Sequence, residues 1–382
     1  MIRVPVNPNL LVWARERAGL AQADLEGKFA KIGAWEVGEV QPTLKQVEAF
    51  ASAVHVPVGY LFLSEPPQES VPIPDFRTIA GQEVVKPSPN LLDTIYACQE
   101  RQGWYREFAR IAGQSPLPFV GSATTRMGSQ AVAAQMRDAL KFEVTARRDC
   151  PTWEDALRLF VRQAEAVGVL VMVSGVVMSN NHRRLDPDEF RGFALSDALA
   201  PLVFVNGADT KAAQMFTLAH ELAHLWLGAS ALSDTGARPV HGSRSEEVWC
   251  NAAAAEFLVP LDALMGELQR GEHVPTAISR LARTFKVSTL VILRRLLDAG
   301  WIERDAFEEH WIKERERLRR YTQGEGGNFH RTTITRVSRR FAQALVVSTL
   351  EGQTLCRDAF RMLGISKMET FRSIGREAGV SA

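Results

Sequence analysis

From Ala219 to Leu227 the chain reads Ala-His-Glu-Leu-Ala-His-Leu-Trp-Leu, and only His220, Glu221 and His224 interrupt its apolar side chains. Asp209 or Thr210 can cap the start of this segment and Gly228 can stop it, so it predicts one buried helix. Four residues apart, His220 and His224 leave the same helix face one turn from each other. A neutral imidazole pair so spaced can hold one Zn²⁺. Glu221 is placed beside the first histidine, where a carboxylate can take a proton from a zinc-bound water whose pKa is pulled to about 7. A helix that buries two imidazoles and a carboxylate needs a partner element bringing a third ligand, which demands a folded domain around it.

A third histidine in register after His224 is absent, as Leu225, Trp226, Leu227 and Gly228 follow. A glutamate on a second helix is the other common solution. Glu247 opens the run Glu247-Val248-Trp249-Cys250-Asn251, in which Glu247 and Asn251 share a face. Glu247 is the leading candidate ligand. Asn251 then sits where it can accept from the outer ring nitrogen of a ligating histidine. Glu246 and Glu256 remain competitors, Glu246 pointing about 100° away from that face. His241, in the loop between the two helices, is a candidate to stabilise an oxyanion, although a lone loop histidine is more often surface. Cys250 reads as a buried filler.

The rest of the chain supports an ordered, multidomain, α+β protein. With 382 residues, 46% hydrophobic and 23% charged, it is too long for one compact core and too apolar for a disordered chain. Lys and Arg number 45 against 44 Asp and Glu, so no global field draws it to nucleic acid or membrane. No stretch approaches the roughly 20 apolar residues of a membrane span, and the start of the chain carries no apolar run of signal-peptide type. Four scattered cysteines, Cys98, Cys150, Cys250 and Cys356, fit a reducing compartment and no disulfide framework. The expectation is a cytoplasmic protein without membrane partners.

Short helices are expected at 9–17, 22–29 and 43–54, followed by prolines at 66, 67, 72, 74, 87 and 89 that mark a linker. Helical spacing recurs over 90–113 and 127–142. Thr152 caps an amphipathic helix to 167, and strands follow at 168–177, 190–195 and 201–205. The strand Leu202–Val205 is read either as an open edge that pairs with substrate backbone or as a fully paired core strand. A helix over 245–258 and further helices broken at Gly271, Gly300 and 324–327 complete the pattern. The segment 329–375 is helical, with an inter-helix turn at Leu363-Gly364-Ile365-Ser366.

Phe216-Thr217-Leu218-Ala219-His220-Glu221-Leu222-Ala223-His224, with Glu247-Val248-Trp249-Cys250-Asn251 through Phe257-Leu258-Val259-Pro260 after it, resembles the ImmA/IrrE family of metallopeptidases. The resemblance implies a zincin-like domain, zinc on His220, His224 and Glu247, and Glu221 as general base. It also implies limited proteolysis of a specific protein, often a DNA-binding repressor. Leu281 to Ser288, continuing to Leu296, is similar to the helix-turn-helix-like segment that often trails this domain. Leu20-Ala21-Gln22, Trp35 to Glu39 and Pro42-Thr43 resemble an XRE-type helix-turn-helix. Here Gln22 to Trp35 is about four residues short of that pattern, roughly one helical turn, so protein contact stands beside DNA reading as its use.

The expected domains are 1–65 (helix-turn-helix-like), 66–126 (linker and helices), 127–264 (zincin-like), 265–325 (helix-turn-helix-like helical segment) and 326–382 (C-terminal helical module). The leading expectation is a zinc endopeptidase with one Zn²⁺ per chain and a narrow protein substrate, repressor-like or of toxin/antitoxin type. The alternative is a regulatory or antitoxin-like binding protein whose metal site is structural. DNA and a second copy of the chain are further candidate partners.

Overall fold

The computed structural model describes residues 3–74, 87–233, 245–319 and 329–380. Contacts group the chain into two units, Met1–Pro72 with Val85–Asp93, and Ile73–Val84 with Thr94–Ala382. The first unit holds α1 (Pro8–Arg17), α2 (Gln22–Glu26), α3 (Ile32–Glu36), α4 (Leu44–Ala53) and one 3₁₀ turn (Val58–Phe62). Thr43 and Gln46 form the capping box that starts α4. The helix expected to reach residue 29 ends at Glu26. Phe29 instead turns into the core, its ring centroid 5.8 Å from those of both Trp35 and Phe50. Burial of that ring outweighs one more helical turn. The five-residue α3 had no periodic signal of its own. Its Glu36 accepts from Arg15 Nε at 2.7 Å, and its Ile32 and Trp35 are buried.

Helix α5 (Pro89–Ile111) begins in the first unit and belongs to the second from Thr94 on. The second unit follows with α6 (Ser129–Leu140), α7 (Val144–Arg148), α8 (Trp153–Ala166), β1 (Leu170–Ser174), β2 (Gly192–Leu195), β3 (Leu202–Asn206), α9 (Lys211–Leu227), β4 (Ala231–Ser233) and α10 (Ser245–Leu258). It continues through α11 (Leu261–Glu267), α12 (Val274–Phe285), α13 (Thr289–Asp298), α14 (Arg304–Arg319), α15 (Phe329–Val337), α16 (Arg339–Leu350), α17 (Cys356–Leu363) and α18 (Met368–Ala378). Thr152 caps α8 as its spacing suggests, accepting from Asp155 N at 3.1 Å. Gly364 ends α17 with φ +68°, a left-handed conformation that glycine adopts without strain.

The sheet order is β1-β3-β2-β4. β1 runs parallel to β3, while β2 is antiparallel to both β3 and β4. The strand Leu202–Val205 is therefore no open edge: β3 is central and paired on both sides. All of its residues are buried, because Val203 and Val205 face the core shared with α9 while Leu202 and Phe204 face the other side. Covering on both faces is why it reads as a continuous apolar run. On that second side Phe193 stacks on Phe204 at 5.0 Å, and α5 brings Cys98 Sγ within 3.8 Å of Met172 Sδ.

Two parts of the expected linker are built into this unit. Ile73 is buried, and the segment after α5 lies on the end of α9. Gly121 N donates to Leu225 O at 3.0 Å and Ala123 N to Trp226 O at 2.9 Å, with Phe119 stacked on Trp226. Among the described residues no single helix is long and apolar enough to cross a membrane.

Candidate metal centre

From Leu218 to Leu227, α9 is apolar apart from His220, Glu221 and His224. Thr210, and not Asp209, caps it, accepting from Ala213 N at 3.2 Å, and Gly228 ends it with φ +72°. The segment 117–123 then satisfies carbonyls that the helix terminus leaves open. His220, Glu221 and His224 are all completely buried.

α10 supplies the partner. Its C-terminal carbonyls, where the helix dipole is negative, receive three arginines. Arg137 Nη1 donates to Glu256 O at 2.7 Å, Arg147 Nη2 to Leu258 O, and Arg295 Nε to Val259 O at 2.9 Å. Burial lowers the Arg147 pKa to about 9, and Arg137 adds to the effect. No spacing in the sequence signals these caps, since they arrive from α6, α7 and α13.

The two helices bring Glu247 to the histidines. His224 Nε2 is 3.0 Å from Glu247 Oε1, His220 Nε2 is 3.3 Å from Glu247 Oε2, and the two Nε2 atoms are 3.1 Å apart. These are the only three potential ligands so grouped among the described residues. Arms of about 2.0 Å in a tetrahedron make edges of about 3.3 Å. Two imidazole nitrogens and a carboxylate at these separations fit a zinc ion. Burial lowers the His224 pKa, which favours the neutral imidazole a metal requires. Burial pushes the Glu247 carboxyl up, but the two facing imidazoles pull harder and hold it well below its ordinary range.

The other candidates fall elsewhere. Glu256 is ion-paired to Arg295, which removes it from competition with Glu247. Glu246 is half-buried and outside the cluster. Asn251 Oδ1 is buried without a hydrogen bond, and so is His220 Nδ1. The expected acceptance of an imidazole N–H by Asn251 Oδ1 is therefore not formed, because helix geometry sets the face but not the rotamer. Cys250 is buried, and burial together with the nearby Glu247 and Glu221 charges raises its pKa well above that of a free thiol. His241 lies outside the described residues.

One residue of the site went unread in the sequence. Gly192 of β2 lies against Glu221: a Cβ there would come within 3.1 Å of Oε1. A glycine inside a strand pattern is the signal that marks such a close approach.

Comparison with known families agrees with this geometry. Residues 164–297 match the model of the M78 peptidase family, described as the IrrE N-terminal-like domain. Residues 337–377 match a family described only as a domain of unknown function. No curated protein matches the chain. Over residues 164–297, from the end of α8 through α13, this chain is similar to zincin-like metallopeptidases of the ImmA/IrrE kind.

Proposed function

We propose that this chain is a zinc-dependent endopeptidase that cleaves a specific protein partner, repressor-like or of toxin/antitoxin type, inside the cell. The observation that carries the reading is the convergence of His220, His224 and Glu247 within 3.3 Å of one another, next to a fully buried Glu221. Zinc bound there would polarise the scissile carbonyl and make water acidic enough to attack near neutral pH.

The chain's own groups do the rest. His220, His224 and Glu247 would hold the ion, the first two on α9, which is capped at both ends, and the third on α10, whose C-terminal carbonyls three arginines satisfy, so the three donors keep their spacing without reorganisation. Glu221, one residue from a ligand and pinned against Gly192, is placed to receive the proton of the attacking water and return it to the leaving amine. Its burial excludes bulk water from that exchange.

We assign the first unit, with its short α2 and α3, to partner recognition. Its α3 carries no cation, and Glu36 is tied to Arg15, which favours protein contact over DNA reading. The four cysteines are unpaired, in keeping with a reducing compartment. The test is a Glu221→Gln variant. It should retain about one zinc per chain and stop cleaving, so that the partner co-purifies intact. Unchanged biological control by that variant would replace the peptidase reading with a binding one.

A further inference from the structure

We propose that α17 and α18 form a helix-turn-helix that docks on duplex DNA with α18 in the major groove. The inference goes beyond the metal site and does not depend on it. α17 ends at Leu363 and α18 begins at Met368, so four residues join them. The first of these is Gly364, whose φ of +68° breaks one helix and frees the next to take a new direction. Two helices joined by so short a turn containing glycine have the layout of a helix-turn-helix. α16 packs against both. Phe360 of α17 meets Phe371 of α18 with ring centroids 5.6 Å apart. Gly375 lets α18 close on α16, since a Cβ there would lie 3.1 Å from Val346 Cγ1.

That packing leaves one face of α18 outside. Its buried residues are Phe371, Ile374, Gly375 and Ala378, which turns Arg372 and Arg376 outward, one turn apart. Both are exposed, and so is Lys367 in the turn before them. Among the described residues none of these three makes an ion pair or a side-chain hydrogen bond. The other arginines around them are already engaged: Arg339 donates to the Glu377 carbonyl, Arg340 Nε to the Tyr105 hydroxyl at 2.7 Å, and Arg361 to Glu100. Residues 337–377 hold seven Lys and Arg against four Asp and Glu, whereas the whole chain is balanced at 45 against 44. The excess that attracts a polyanion is therefore local to this module.

Shape and chemistry favour duplex DNA over an acidic protein. A helix with its side chains is about 10–12 Å across, and the major groove is about 12 Å wide. The eleven residues of α18 reach about 16 Å along it. In that position Lys367 neutralises a phosphate at the groove edge, while the forks of Arg372 and Arg376 match O6 and N7 of guanine. Glu369 is exposed on the same face. It repels an acidic protein, but on the groove floor it accepts from the N4 amine of cytosine.

The experiment uses the full-length protein and fluorescein-labelled duplexes of random sequence, about 20 base pairs or two helical turns long. Anisotropy measures affinity against salt, and repeated selection from the pool recovers preferred sequences. With three cations each releasing a counterion, affinity should fall about 40-fold between about 50 and 200 mM salt. Lys367→Gln should reduce that fall to about 12-fold and leave the preferred sequence unchanged. Arg372→Gln and Arg376→Gln should each weaken binding to the selected duplex about 10–100-fold and relax the choice at one guanine. All three changes are on the surface, where folding tolerates them, and an unchanged thermal midpoint verifies it. No binding at low salt overturns the proposal. Binding equally tight in the Arg372→Gln/Arg376→Gln double variant also overturns it, and moves the DNA contact to the first unit. A pool without sequence preference, or equal affinity for single strands, overturns docking in the groove. A dimer that dissociates in the double variant, with no DNA bound, assigns the face to a second copy instead.

Discussion

Gly192 and Glu221 meet where no side chain fits between them: a Cβ on Gly192 would lie 3.1 Å from Glu221 Oε1, 2.5 Å from Thr217 Cγ2 and 2.8 Å from the Phe204 carbonyl oxygen. The carbonyl belongs to the central strand and cannot yield. Gly192→Ala is expected to cost about 1–3 kcal/mol of stability from overpacking and to push Glu221 off its position. Urea unfolding measures the first effect. Zinc content that stays near wild type while peptide cleavage drops identifies the second.

The ligand cluster predicts a separation of metal binding from catalysis. His220→Ala and Glu247→Ala each remove one of three donors, so zinc affinity should fall by more than the about 10–100-fold that an outer partner contributes. Glu221→Gln should leave affinity near wild type. Competition against a fluorescent chelator measures all three, and equal zinc loss in Glu221→Gln would contradict the assigned roles.

Arg295 holds both the Glu256 carboxylate and the Val259 carbonyl at the end of α10, and its side chain is 5% exposed. Removing one partner of a buried ion pair leaves the other charge stranded, at a cost of about 3–5 kcal/mol. Arg295→Met should show that loss in thermal or urea unfolding. Replacing Glu256 by Met as well should recover part of it.

Glu165 predicts a pH dependence of stability. Its carboxylate accepts from Ser338 Oγ and from Arg339 N at 2.8 Å, but burial dominates and raises its pKa above the ordinary 4.5. The folded protein therefore binds this proton more tightly than the unfolded chain. Its contribution is fully present below pH 4.5 and is lost as pH rises through the raised value. Glu165→Gln, which keeps the acceptor oxygen and removes the titration, should show a shallower decline in unfolding free energy above that pH. An identical decline in both proteins would assign it to other groups.

Much of the second unit was legible because its signals are local. Thr152 and Thr210 are side-chain caps, Gly228 and Gly364 are helix stops, and the strands around 170, 193 and 203 are dense apolar runs. β4 escaped because three residues carry no period, and α3 because its five residues are held by Phe29, Trp35 and Phe50 meeting in the core. Ile73 and Pro74 sit in a proline-rich stretch whose composition says linker, and only the bond from Leu232 N to Pro74 O reveals where they go.

His220, Glu221 and His224 needed nothing beyond the chain itself, because a helix repeats every 3.6 residues and the polar interruptions in an apolar run declare which face is special. Glu247 was favoured by the same periodicity. Its carboxylate reaches the imidazoles because Arg137, Arg147 and Arg295 fasten the far end of α10, while the backbone at 121–123 fastens α9. Those contacts join residues separated by tens to more than a hundred positions, and no local rule relates them. Side-chain rotamers such as that of Asn251, the central place of β3 and the cover over the edge of β4 belong to the same class: packing across the whole unit decides them.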